Sequence, residues 1–169
     1  MTSDKRDRGS LSAVDRAGIE EALEQMIPAS LDDIVRRSRD VLQIGLAMPD
    51  ELAIRATAIE PDRDTRDTIE QWRIIAFRTI GRRPDTGLEG ILSSRLSLLG
   101  RAVGTRGSWL TSEIVQIDID RSLVLTRNSL YRLGSRGEGE PPQDDLICVC
   151  AVMHGWGVGD LVGVPGFFY

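Results

Sequence analysis

Histidine, lysine and cysteine are almost missing from this chain, which has one His (His154), one Lys (Lys5) and two Cys (Cys148 and Cys150) among its 169 residues. Any mechanism that needs an imidazole must therefore use His154. The two cysteines are too close in sequence for an easy disulfide. Both lie inside the apolar run LICVCAVM at 146–153, so they read as reduced core thiols of a cytoplasmic protein. That run is the longest apolar one and falls far short of the roughly 20 residues of a spanning helix, so no membrane partner is expected. The opening MTSDKRDRGS alternates charge and has no apolar stretch, which excludes a signal peptide or anchor there; residues 1–11 read as a disordered tail.

What the chain does have is segregated charge. The net charge of −5 divides into 10 basic and 16 acidic residues over 1–70, 11 and 5 over 71–136, and none and 5 over 137–169. A basic middle between acidic ends either neutralises itself in the fold or offers a positive face to an anionic partner.

The apolar spacing over 12–100 predicts helices. Ile19, Ala22, Leu23, Met26 and Ile27 follow Ser12 at helical intervals and stop at Pro28. Ser30 opens a second helix through Leu31, Ile34, Val35, Val41 and Leu42, closed by Gly45. A third runs from Pro49 to Ile59, a fourth from Thr65 to Ile80 with Ile69, Trp72, Ala76 and Ile80 inward, and a fifth from Leu88 to Leu99. After Gly107 the period changes. Val115, Ile117 and Ile119 alternate with Gln116, Asp118 and Asp120, and Leu123, Leu125, Tyr131 and Leu133 continue the apolar face. That pattern predicts an antiparallel meander of three strands, with a fourth around Ser108–Leu110. DDLICVCAVMHGW, 144–156, reads as a buried helix, and Phe167, Phe168 and Tyr169 as a docked terminus.

The expected fold class is α+β: an N-terminal layer of about five helices over 12–100, packed as one globular unit with 101–169, a three- to four-stranded antiparallel meander and one buried C-terminal helix. A small greasy-faced meander needs such a cover.

Four features invite a functional reading. Asp118 and Asp120, about 7 Å apart on one strand face, could bracket a hard cation, although the same face carries Gln116 and reads first as a solvated one. Cys150 and His154, four apart on a helix, are the minimum for a thiolate nucleophile, but their apolar setting favours a buried thiol and a helix-end histidine. GRAVGTRGS, 100–108, is glycine-rich and basic without being a Walker loop. Arg82, Arg83, Arg101, Arg106 and Trp109 are the candidate binding residues for an anionic or protein surface. No cofactor is implied. The expectation is a non-catalytic regulatory or inhibitor protein of bacterial or phage type that binds another protein, in one version as a homodimer. The alternatives are a nucleic-acid binder using 71–136 and an enzyme using Cys150 with His154 or a metal at Asp118 and Asp120.

Overall fold

The computed structural model describes residues 13–60 and 62–166. Along the chain these form α1 (Ala13–Met26), α2 (Leu31–Ile34), β1 (Leu42–Leu46), α3 (Pro49–Ala53), β2 (Asp67–Arg82), β3 (Glu89–Ala102), β4 (Gly107–Asp118), β5 (Leu123–Thr126), β6 (Leu130–Leu133) and α4 (Gln143–Gly155). Consecutive strands pair antiparallel, and β6 returns beside the start of β2 in parallel, from Asp67↔Tyr131 to Ile69↔Leu133. Strands β2 to β6 thus make a closed five-stranded barrel, and β1 lies along the far half of β2 as an extra strand. With an odd number of strands in a meander, the first and last run the same way, so the closing seam is the parallel one.

The expected α+β architecture is overturned by this barrel, because the fourth and fifth predicted helices are its two longest strands, β2 and β3. The physical reason is burial on both faces. Ile74 and Ala76 point into the barrel, whereas Ile75 and Phe77 point outward into a second core beneath α4; Leu96 and Leu98 of β3 face in, and Leu99 faces out. A strand covered on both sides loses its alternation and reads as a continuous apolar run, which periodicity cannot separate from a helix.

The second predicted helix is real for one turn only. Ser30 caps it through a 3.2 Å bond from the Asp33 N–H, and the chain then turns into β1, where a strand replaces the rest of the helix. The third is likewise short, ending at Ala53 instead of Ile59. Ile19, Ala22 and Met26 of α1 are exposed, so the stripe predicted there is not buried at these positions. The predicted meander is present as β4, β5 and β6, and the stretch at Ser108–Leu110 is the beginning of β4 and not a fourth strand. A register shift between Ile114 and Gln116 changes its inward face. Ile114 and Ile117 are buried, and Val115 and Ile119 stand half-exposed. The predicted helix 144–156 is α4, with Leu146, Val149, Cys150 and Met153 buried against the outside of the sheet. The tail 1–11 and the aromatics 167–169 lie outside the described residues.

Two local devices close the barrel. In β2, Gln71 takes a left-handed φ of 51°, and the register against β3 jumps between Glu70 and Arg73. This bulge coils the strand, and Gly100 on β3 lies against it. A Cβ at Gly100 would stand 2.6 Å from Ile69 Cγ2 and 2.7 Å from the Glu70 carbonyl oxygen. On the far side, where β3 diverges from β4, residues 55–57 take its place: the Ile117 N–H donates to the Arg55 carbonyl at 2.9 Å, and the Thr57 N–H to the Ile117 carbonyl at 3.0 Å. The Arg55 guanidinium spans the same gap, donating to the carbonyls of Ser94 (3.1 Å) and Ile114 (3.3 Å). The following loop crosses β5 and β6, where Ile59 packs on Leu123 and Leu130.

Gly100→Ala is expected to lower stability by about 1–3 kcal/mol through overpacking at the bulge. Gly18→Ala, in α1 with open space around it, should be neutral or stabilising by up to about 1 kcal/mol. Urea unfolding of both variants, with unchanged slope, checks the pair.

Candidate functional site

The two predicted carboxylates part company at the end of β4. Asp118 is the last residue of the strand and is buried, and Asp120 lies exposed in the turn. The Ile59 N–H donates to Asp118 Oδ2 at 2.9 Å, the Arg121 N–H to Oδ1 at 3.1 Å, and Arg121 Nη1 to Oδ2 at 2.9 Å. These bonds, that from Ile59 first and those from Arg121 after it, hold the Asp118 carboxyl below the usual carboxylate range. With both oxygens occupied by donors, Asp118 anchors the crossing loop to β4. Among the described residues no group of three or more His, Cys, Asp or Glu side chains is placed to hold a metal ion.

Cys150 and His154 share α4 but face different surroundings. Cys150 is buried, and burial pushes its thiol up to about 12; Cys148, half-buried, is pushed up to about 11 by burial and by the nearby Asp145. The His154 ring is engaged elsewhere. Its Nε2 lies 3.1 Å from the Val164 carbonyl and 3.2 Å from that of Pro165, and its Nδ1 lies 3.2 Å from Asp160 Oδ1. Gly159 packs so closely on the imidazole that a Cβ there would come within 2.6 Å of it. His154 therefore ties the segment after α4 back onto the helix, and a thiol kept protonated is a poor nucleophile.

The best-developed polar cluster involves residues to which the sequence gives no motif. Glu51, on α3, receives two bonds from the Arg78 guanidinium of β2 (Nε to Oε1 2.8 Å, Nη2 to Oε2 2.7 Å), one from Ser94 Oγ (2.6 Å) and one from the Met48 N–H (2.8 Å). Arg78 also donates to the Leu46 carbonyl at 2.9 Å. Burial opposes the charge on Glu51, but the bonds from Arg78, Met48 and Ser94 outweigh it and bring its pKa down to about 2. Both Glu51 oxygens and Arg78 Nε and Nη2 are engaged, so the cluster clamps β1, α3, β2 and β3 together. Its only sequence trace is the proline-led turn PDE at 49–51.

The candidate binding residues are not brought together. Arg82 and Arg83 stand at the tip of the β2–β3 hairpin, with Arg83 paired to Asp85 at 3.0 Å. Arg101, Arg106 and Trp109 sit at the other end of the same hairpin, roughly 40 Å away along the strand at about 3.3 Å per residue. Arg101 meets Asp144 at 3.7 Å, Arg106 occupies the β3–β4 turn with a φ of 55°, and Trp109 is partly buried against the barrel core. The Trp109 indole N–H points to Tyr131 Oη at 3.4 Å, and the Arg66 guanidinium lies 5.2 Å from its ring centroid. GRAVGTRGS is the end of β3, a turn and the start of β4. Trp72 faces the barrel interior, and Trp156 meets Phe77 edge-on at 5.6 Å.

The acidic ends neutralise the basic middle only in part. Among the described residues they supply ion-pair partners to Arg78 (Glu51) and Arg101 (Asp144); Arg83, Arg121 and Arg127 pair with acids inside the segment. Arg82, Arg95, Arg106, Arg132 and Arg136 make no ion pair with a described residue and lie exposed, but on different elements and loops.

Among the open surfaces of the described residues are the hairpin tip and a pocket at the barrel mouth. The hairpin continues past its neighbours: β1 pairs no farther than Thr79, with Val41 just before it accepting from the Ile80 N–H at 2.9 Å, β4 pairs no nearer the tip than Ser97, and from Gly81↔Gly90 to Arg82↔Glu89 β2 and β3 pair only with each other among the described residues. On this arm Leu88 is 69 % exposed, Ile91 42 % and Leu92 48 %. The second is a pocket of about 580 Å³ at the barrel mouth, floored by Leu52, Trp72 and Ile74 and rimmed by Ile119 and Arg136.

No protein-family model, curated protein or solved structure matches this chain. No helix among the described residues is long and apolar enough to cross a membrane.

Two outcomes follow from the protonation states. A carboxyl with a depressed native pKa stabilises the fold fully above its unfolded value and loses that contribution as it is protonated. The Glu51 contribution, on the order of 3 kcal/mol, is therefore complete above pH 4.5 and lost as pH falls toward 2. Glu51→Gln should be less stable at neutral pH and show a flatter acid limb, read from urea midpoints against pH. Both thiols should resist an aromatic disulfide reagent at about pH 8 in the native protein and react once it is denatured; rapid native labelling of Cys150 would contradict the burial described.

Proposed function

We propose that this chain is a non-catalytic regulatory protein of the cytoplasm that works by binding another protein, a second copy of itself included, with the β2–β3 arm as the contact element. The observation that carries this reading is the arm itself. A two-stranded ribbon is marginal in water on its own, and one that carries three exposed aliphatic side chains gains stability when a partner covers it. Its Glu89–Ser93 edge has no neighbouring strand among the described residues, which leaves N–H and C=O groups for a partner strand to pair with. Arg82, Arg83, Asp85 and Glu89 give the tip both signs of charge and no net charge, which suits a mixed protein surface better than a phosphate backbone. Glu51, Asp118 and His154 are meanwhile engaged in holding the fold, and Cys150 is buried. The cytoplasmic placement rests on the two free cysteines, Cys150 buried in the outer core and Cys148 half-buried against it.

Capture from nuclease-treated native lysate, together with light scattering of the purified protein, tests the reading. Wild type is expected to retain a protein partner or to dimerise, and Ile91→Asp with Leu92→Asp to weaken that association at least about tenfold, with circular dichroism unchanged because the arm lies outside both cores. Association that survives the double substitution, or that disappears with nuclease and falls steeply with salt, would overturn it; the second result would favour nucleic acid bound through the exposed arginines.

A further inference from the structure

The pocket at the barrel mouth carries an inference independent of the arm, from which it is separated by roughly 25 Å of β2 at about 3.3 Å per residue. Its floor is apolar: Leu52, Trp72 and Ile74 form it where α3 and the bulged part of β2 meet, and half-exposed Ile119 from the β4–β5 turn overhangs it. Its charged lining is two arginines, Arg73 and Arg136, against one carboxylate, Glu138. Arg136 lies over the Trp72 ring, 5.4 Å from the centroid, exposed and without a carboxylate partner among the described residues. Arg73 is buried beside it, donating to the carbonyls of Gly139 (2.9 Å), Gln71 (3.1 Å) and Glu138 (2.7 Å). These bonds satisfy its geometry but bring no negative charge, since a carbonyl is neutral. The Glu138 carboxylate, on the same rim, pairs with neither guanidinium. Two arginines in no ion pair among the described residues, against one rim carboxylate, leave net positive charge beside an apolar cavity, which is complementary to one kind of small molecule. A cavity of this size, at the mouth of a barrel, with a few polar groups on an apolar wall, has the general form of a ligand site.

We infer that this pocket binds a small amphipathic anion: an apolar body on the Leu52, Trp72 and Ile74 floor, with a carboxylate or phosphate head accepting hydrogen bonds from Arg136. The nearby charge of Arg73 adds to the attraction without direct contact. The Arg136 guanidinium is the recognising group because its exposed donors can turn to a head group, whereas those of Arg73 are engaged with backbone.

Calorimetric titration of the full chain with octanoate, octyl phosphate, octan-1-ol and inorganic phosphate tests this, the two anionic probes separating a carboxylate ligand from a phosphate one. One saturable site is expected for at least one amphipathic anion, with the alcohol and inorganic phosphate each at least about tenfold weaker. Arg136→Gln should weaken the anion about tenfold and Arg136→Lys less, while Ile119→Trp, which fills the mouth from an exposed turn position, should block it. Retention of the arm-dependent association in these variants keeps the two sites distinguishable. Equal binding of alcohol and acid, wild-type affinity in Arg136→Gln, or no saturable binding of either amphipathic anion at about millimolar concentration would overturn the inference.

Discussion

The parallel seam between β2 and β6 is the contact on which the rest of the structure depends. It is short, three residue pairs from Asp67↔Tyr131 to Ile69↔Leu133 and a further bridge between Trp72 and Arg136, yet it turns an open meander into a barrel. The seam continues past the bulge because the Trp72 N–H donates to the Ser135 carbonyl at 3.0 Å and the Gly137 N–H to the Trp72 carbonyl at 2.9 Å. Without the left-handed turn at Gln71 and the missing side chain at Gly100, β2 could not coil tightly enough to meet β6. Closure removes two sheet edges and creates an interior for Ile69, Ile74, Leu96, Leu98, Ile114, Val124 and Tyr131.

A barrel this small buries only one face of its strands, and the second core supplies the other. Leu146, Val149, Cys150 and Met153 of α4, together with Leu31, Ile34 and Val35, cover the outward residues Ile44, Ile75, Phe77 and Leu99. Polar groups fix how these layers sit. The Glu51–Arg78–Ser94 cluster joins α3 to the three strands beside it, Asp118 fastens the crossing loop, and Arg73 gathers the backbone of the loop before α4. Such buried charges add less net stability than their bond count suggests, because desolvation offsets much of the attraction; their effect is to select one arrangement over others.

The sequence made several of these elements readable. The alternation after Gly107 located β4, β5 and β6, because a strand in a curved sheet still shows one face at a time. The DDLICVCAVMHGW run located α4, and Ser30 marked a true helix start. The bulge-shifted face of β4 was not readable: Val115, Ile117 and Ile119 alternate in sequence, but the extra residue turns Ile114 inward and leaves Val115 half-exposed. Nor was the candidate site, since Arg73 and Arg136 are far apart in the chain and carry no shared motif.

By itself the sequence determined local matters, those in which a residue and its neighbours within one turn or one strand decide the outcome: the α2 cap, the α4 helix, the meander and the scarcity of groups able to do imidazole or disulfide chemistry. Tertiary structure decided whether WRIIAF and LSLLG become helix or strand, because an apolar run buried on both sides satisfies either period, and only the presence of partner strands and a covering helix selects the extended form. It also decided which arginines keep a carboxylate and which do not. That depends on distances between segments dozens of residues apart, and local composition does not encode them.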